Sequence, residues 1–221
     1  MKLSVVPDES LRWNAAIAAS GAHGVVLPKV SAAADVQRAE RLLAAAPQAL
    51  ALWAMIETPR GVLDVREIAG AGGRLAGLIA GTADLAKDLR CAHPGDRWPM
   101  LAALQMCVLA ARAHGLAVLD GVHLDIADIS GFEAACRQGR DLGFDGKTLI
   151  HPNQIAGANA AYSPGADDLA RAARIVAAHA EAAAQGKGVT LLDGRLVEAL
   201  HVKEAERLLA QAEMIAARST A

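Results

Sequence analysis

Leu50-Ala51-Leu52-Trp53-Ala54-Met55-Ile56-Glu57, and then Leu75-Ala76-Gly77-Leu78-Ile79-Ala80 followed by Gly81-Thr82-Ala83-Asp84, are the stretches that decide the fold. Each is a short apolar run without polar alternation, followed by turn residues and an acid. Such runs, flanked by amphipathic stretches, read as strands buried on both faces, as in a parallel sheet covered by helices. Ligands of these sheets bind beyond the carboxyl ends of the strands, where Glu57 and Asp84 fall.

The same alternation extends in both directions. Strands are expected at Lys2 to Val6, Gly24 to Leu27, Leu50 to Ile56, Leu75 to Ala80, Ala117 to Val122 and Lys147 to Ile150. Helical patterns lie between them at Ser10 to Ser20, Ala32 to Ala46, Val62 to Ala69, Trp98 to His114 and Ile129 to Leu142, and Gly21, Gly115 and Gly143 follow three of these as left-handed caps. Repeated βα units of this kind make an α/β fold with a parallel sheet. After Ile150 the pattern changes. A long helix is expected from about Asp167 to Ala184, a hairpin over Val189 to Val197 with Asp193-Gly194 as its two-residue turn, and a last helix over about Val197 to Ala217. We divide the chain into 1–164, the α/β unit, and 165–221, a helix-hairpin-helix extension packing on the barrel or on a neighbouring subunit.

Composition excludes several classes. The chain has 221 residues, 53% of them hydrophobic, enough for a large core. The net charge is −2 and the basic residues are dispersed, so there is no footprint for a nucleic-acid backbone. The longest uncharged apolar stretch, Trp98 to Ala111, is too short to span a bilayer, and the start lacks a charged-then-apolar leader pattern. A cytoplasmic protein without a membrane partner is expected. Cys91, Cys107 and Cys136 have no CxxC spacing and read as buried thiols.

Hard divalent cations take oxygen ligands, commonly one or two carboxylates with water and substrate oxygens completing the shell. Glu57 and Asp84 would supply that minimum, and the turns beside them would offer backbone N–H groups to an oxyanion. The alternative is a pair of surface acids neutralised by Arg60 and Lys87. Lys29, after Pro28 at another strand end, is a candidate anion contact or a solvated loop cation. Gly143-Phe144-Asp145-Gly146-Lys147-Thr148-Leu149-Ile150-His151-Pro152 places a Lys at a strand start and a His before a helix, either a grip for phosphate or carboxylate or a plain βα turn.

Together and in order, Val25-Val26-Leu27-Pro28-Lys29-Val30, Ile56-Glu57-Thr58-Pro59-Arg60-Gly61, Gly81-Thr82-Ala83-Asp84-Leu85, Asp120-Gly121-Val122-His123-Leu124-Asp125 and Gly143 to Gln154 resemble the citrate lyase beta subunit and malyl-CoA lyase group of the HpcH/HpaI aldolase superfamily. The resemblance implies a (β/α)₈ TIM-type barrel with a C-terminal helical extension, assembled as a homotrimer or hexamer. It implies Mg²⁺ held by Glu57 and Asp84, a 2-oxo acid carboxylate held by the backbone of Thr82 and Ala83, and a coenzyme A end near Lys147 and His151. In the third strand the family carries an Arg on the substrate carboxylate, and Lys2 stands about there. The family's acid/base carboxylate in the extension falls at Glu198, although Glu198-Ala199-Leu200 replaces its usual Asp, small residue and Pro. No counterpart of the family's first two βα units is found, so a barrel of about six strands is expected. The implied reaction is carbon-carbon cleavage of a 3-hydroxyacyl thioester, on CoA or an acyl carrier, releasing a 2-oxo acid. The alternatives are thioester hydrolysis on the same platform and a binding or assembly subunit of weakened activity.

Overall fold

The computed structural model describes residues 3–5 and 21–219. Lys2 and the helix expected over Ser10 to Ser20 lie outside the described residues. The chain falls into two units, Met1–Tyr162 and Ser163–Ala221.

Among the described residues of the first unit six strands lie side by side in chain order, each parallel to the next: β1 (Leu3–Val5), β2 (Gly24–Leu27), β3 (Ala51–Ile56), β4 (Leu75–Ala80), β5 (Ala117–Asp120) and β6 (Gly146–Lys147). An order without reversal is that of a barrel wound in one direction, whereas a doubly wound sheet reverses at its middle. The described helices are α1 (Ala33–Leu42), α2 (Pro59–Leu63), α3 (Val65–Ala69), α4 (Thr82–Leu89), α5 (Leu101–Ala113), α6 (Ile129–Leu142) and α7 (Gln154–Tyr162).

Strand parity sorts the core into two layers. Leu52, Ala54 and Ile56 of β3 join Leu78, Ala80 and Val118 against Val36, Ile68, Leu104 and Ala111 of the helices. On the opposite face Trp53 packs with Val26 and Ile79. Trp53 is paired with Gly77 of β4, and its indole lies where a Gly77 side chain would stand. At the far end of the sheet, Arg112 of α5 holds both carboxylate oxygens of Asp145 at 3.0 and 2.7 Å and the carbonyl of Gly143 at 2.6 Å. Gly143 itself ends α6 in the left-handed conformation, φ 98°.

The element boundaries differ from expectation where side chains take over backbone groups. The helix expected over Val62 to Ala69 begins earlier, because Thr58 accepts the Gly61 N–H and Pro59 takes the first position, and it breaks at Asp64 into α2 and α3. The last two strands stop at Asp120 and Lys147. Beyond them the N–H and the hydroxyl of Thr148 both donate to the Asp120 carbonyl, and Ile150 N–H turns to the Gln154 side chain.

The second unit contains α8 (Ala166–Ala184), β7 (Thr190–Leu192), β8 (Arg195–Val197) and α9 (Ala199–Ser219). Asp193 and Gly194 have φ of 51° and 75°, the pair of left-handed residues that a tight antiparallel hairpin uses. The Asp193 carboxylate also receives Arg174 of α8 at 2.8 Å.

Gly77→Ala drives a methyl into the Trp53 ring. It is expected to lower unfolding stability by about 1–3 kcal/mol, measured by urea denaturation, while Trp53→Leu in the same background recovers part of the loss.

Candidate active site

Glu57 is the residue after β3, and strand parity places it on the face of Trp53 and Met55. Its neighbour across the sheet, one step beyond the Ile56–Ala80 pair, is Gly81. The two are so close that a Cβ on Gly81 would collide with the Glu57 Cβ and lie 2.8 Å from its Oε2. The acid is therefore laid across a glycine and retains 6% exposure. Its Oε1 accepts the Lys29 N–H at 2.8 Å. Lys29 adopts the left-handed conformation, φ 52°, which turns the chain after β2 so that this amide meets the acid. Ser31 and Thr58 join the same two loops through a 2.9 Å hydroxyl pair.

Asp84 is the third residue of α4 rather than the end of a strand, because Gly81 already caps the helix. Its carboxylate stands near enough to Glu57 to repel it. Burial first, and then Asp84, hold the Glu57 carboxyl above its ordinary pKa against the opposing Lys29 N–H. The only described cation on Asp84 is the Lys29 ammonium, 3.9 Å away and well exposed. The partners named in the neutralised-surface alternative lie elsewhere: Arg60 is engaged by Asp64 at 2.7 Å, and among the described residues no ion pair joins Lys87 to Asp84. Thr82 and Ala83 occupy the first two positions of α4, where backbone N–H groups have no acceptor within the helix. In place of the expected turn stands a helix N-terminus aimed at the same rim, a natural seat for a carboxylate.

This donor set fits a hard divalent cation. A buried carboxylate and a half-buried one repel each other, Glu57 Oε2 takes no hydrogen bond among the described residues, and a cation between them would remove the repulsion. Among the described residues no group of three or more His, Cys, Asp or Glu is poised to hold a metal, so the protein's share would be two carboxylates, with water and substrate oxygens as the remainder.

The remaining expected residues lie on other elements. Lys147, expected as a grip near a coenzyme, is buried in an ion pair. Its partner across the sheet is Asp120, its side chain is 1% exposed, and its ammonium sits 2.9 Å from Asp120 Oδ2. Parity turns it into the layer between sheet and helices, and Asp120 holds it there. Asp120, wholly buried, also receives Arg97 Nη1 on both oxygens at 2.6 and 2.7 Å. Arg97 in turn donates through Nε to Gln138 of α6 at 2.8 Å. Desolvation pushes the Lys147 pKa down even though Asp120 opposes it. His151 is exposed in the turn before α7, where its Nδ1 accepts the Asn153 N–H. Glu198, in the second unit, precedes α9 and donates its N–H to His201 Nδ1. The three cysteines are unpaired, and burial drives the Cys107 thiol up to about 12.

Residues 5–152 match the model of the HpcH/HpaI aldolase/citrate lyase family. The chain belongs to this family. It is 48% identical over 202 residues to a (3S)-malyl-CoA thioesterase of Cereibacter sphaeroides, covering 91% of this chain and 69% of that one. It is 36% identical over 216 residues to an L-malyl-CoA/beta-methylmalyl-CoA lyase of the same species, with 87% and 68% covered. Among solved structures, the CitE protein of Mycobacterium tuberculosis in complex with magnesium, acetoacetate and coenzyme A superposes with a TM-score of 0.72 at 30% identity, covering 96% of this chain and 76% of that one.

A titration with Mg²⁺ checks the donor pair. At about 100 times its Kd the ion is expected to add about 2.7 kcal/mol of stability, a Tm rise of about 5–10 °C for a protein of this size. Glu57→Gln should abolish the rise. At pH 5 the rise in the wild type should be smaller than at pH 7.5, because protons compete for Glu57. A raised carboxyl pKa favours the folded state while the acid is protonated, and that contribution is lost as pH climbs through the raised value. Metal-free Glu57→Gln should therefore melt no lower than metal-free wild type at pH 7.

Proposed function

We propose that the chain is a Mg²⁺-dependent enzyme of CoA thioesters that hydrolyses a malyl-type 3-hydroxyacyl-CoA. The observation that carries this reading is the pairing of a buried Glu57, whose carboxyl pKa burial raises, with Asp84 beside the open amides of α4. Relatives that act on malyl-CoA, and one crystallised with magnesium, acetoacetate and coenzyme A, support the substrate class and the metal. Hydrolysis is favoured over carbon-carbon cleavage by the higher identity to the thioesterase, 48% against 36% for the lyase.

Glu57 and Asp84 would hold the cation. When bound, Mg²⁺ supplies Lewis-acid polarisation of the hydroxyl and carboxylate oxygens of the acyl group. The N–H groups of Thr82 and Ala83 bind that carboxylate, and the Lys29 ammonium adds positive charge to the same rim. His151 serves the coenzyme end. Glu198, from a neighbouring copy in a homotrimer or hexamer, is the acid/base. It takes a proton from the water whose oxygen bonds to the thioester carbonyl carbon, and as the carbon-sulfur bond breaks it returns that proton to the sulfur, so that CoA leaves as the thiol. The second reading, carbon-carbon cleavage, uses the same residues. The hydroxyl loses its proton and becomes the carbonyl of a 2-oxo acid, the carbon-carbon bond breaks, and the acyl carbon left behind gains a proton.

Incubation with malyl-CoA separates the outcomes. Free CoA and malate in equal amounts are expected from hydrolysis. Acetyl-CoA and glyoxylate would mean cleavage, and no turnover would leave a binding subunit. Glu198→Gln is expected to lower kcat by about 10²–10⁴-fold with KM changed less than threefold.

A further inference from the structure

Two glycines stand side by side at the rim of the sheet. The register that pairs Ile79 with Leu119 places Gly121, just beyond β5, next to Gly81, just beyond β4. Gly81 lies under Glu57, and Gly121 lies against Thr82: a Cβ on Gly121 would collide with the Thr82 hydroxyl and come 2.6 Å from the Ala80 carbonyl oxygen. Thr82 is buried, and among the described residues its hydroxyl has no hydrogen-bond partner, so packing rather than a described polar tether sets its position.

The position of Gly121 is fixed from below. Asp120 Oδ1 accepts the Gly121 N–H at 2.8 Å, which orients the peptide joining these two residues. The carboxylate is held on two sides, by Arg97 from the loop before α5 and by Lys147 from β6. Gly139 of α6 admits it: a Cβ there would lie 2.6 Å from Asp120 Oδ2. Two cations bind one carboxylate, which is more charge than pairing alone requires.

We propose that Asp120, held by Arg97 and Lys147, is a positioning residue that seats Gly121 under Thr82 and thereby sets the start of α4, including the amides of Thr82 and Ala83 and the carboxylate of Asp84. The inference rests on the assignment of Glu57 and Asp84 to a divalent cation. Asp120 touches neither metal nor substrate in this role. It acts through main-chain contacts on the helix that does.

Gly121→Ala tests the contact, and Arg97→Met tests its support while leaving a balanced Asp120–Lys147 pair in the interior. Both are measured in the full chain, on protein that melts cooperatively, for the Mg²⁺ Kd and for kcat and KM with malyl-CoA. The expected result is a Mg²⁺ Kd raised at least tenfold and a lowered kcat in Gly121→Ala, with a shift of threefold or more in Arg97→Met. Adding Thr82→Ala to Gly121→Ala removes the colliding side chain and should restore part of the Mg²⁺ affinity, which loss of general stability would not allow. Folded Gly121→Ala with wild-type Mg²⁺ affinity and kcat overturns the proposal. Glu57→Gln run in parallel distinguishes the failures. If it too binds Mg²⁺ as the wild type does, the metal assignment falls and takes this inference with it. If Glu57→Gln loses the ion while Gly121→Ala does not, only the positioning role is lost.

Discussion

Glu57 lying across Gly81 is the contact on which the site depends. It joins the ends of two adjacent strands, brings a carboxylate into a poorly hydrated place, and brings the first turn of α4 beside it. Water would otherwise stabilise the charge on Glu57, and the loss of that hydration is the main reason its pKa is raised. The cost is tolerable because the Lys29 amide satisfies one oxygen. The other oxygen takes no hydrogen bond among the described residues. A sheet packed to this closeness at its rim needs glycine at the crossing points, and it has one under Glu57 and another against Thr82.

Much of this was legible in the sequence. The runs around Trp53 and Leu78 identify themselves as buried strands because they are apolar on both faces, and the structure places β2 and β4 on the expected residues. Asp193-Gly194 carried its own turn geometry. Glu57 and Asp84 could be singled out as acids following such runs, and the family pattern joined them. The same pattern indicated Thr82 and Ala83, whose free amides follow from their helical position.

Lys147 was legible as a residue but not in its surroundings. Its direction is set by the β5–β6 register and by a strand only two residues long, which no local pattern encodes. Arg97 gave no signal, since it lies in an irregular loop between two helices and meets Asp120 twenty-three residues later. A single cue existed: Asp120 ends an apolar strand, and a carboxylate rarely enters such a place without partners. The limits of β5 and β6 escape the sequence for a related reason, because Thr148 replaces ladder bonds with bonds of its own.

Lys29 contributes to the site through its main chain and its side chain independently. The left-handed backbone delivers an amide to Glu57, and the ammonium leans toward Asp84. The first contribution belongs to the path of the loop and would survive in any residue that tolerates positive φ, such as Asn or Gly. The second belongs to the side chain and can be lost without unseating the acid. Selection can therefore adjust the electrostatic potential at the mouth of the barrel by changing one loop residue while the architecture beneath stays as it is.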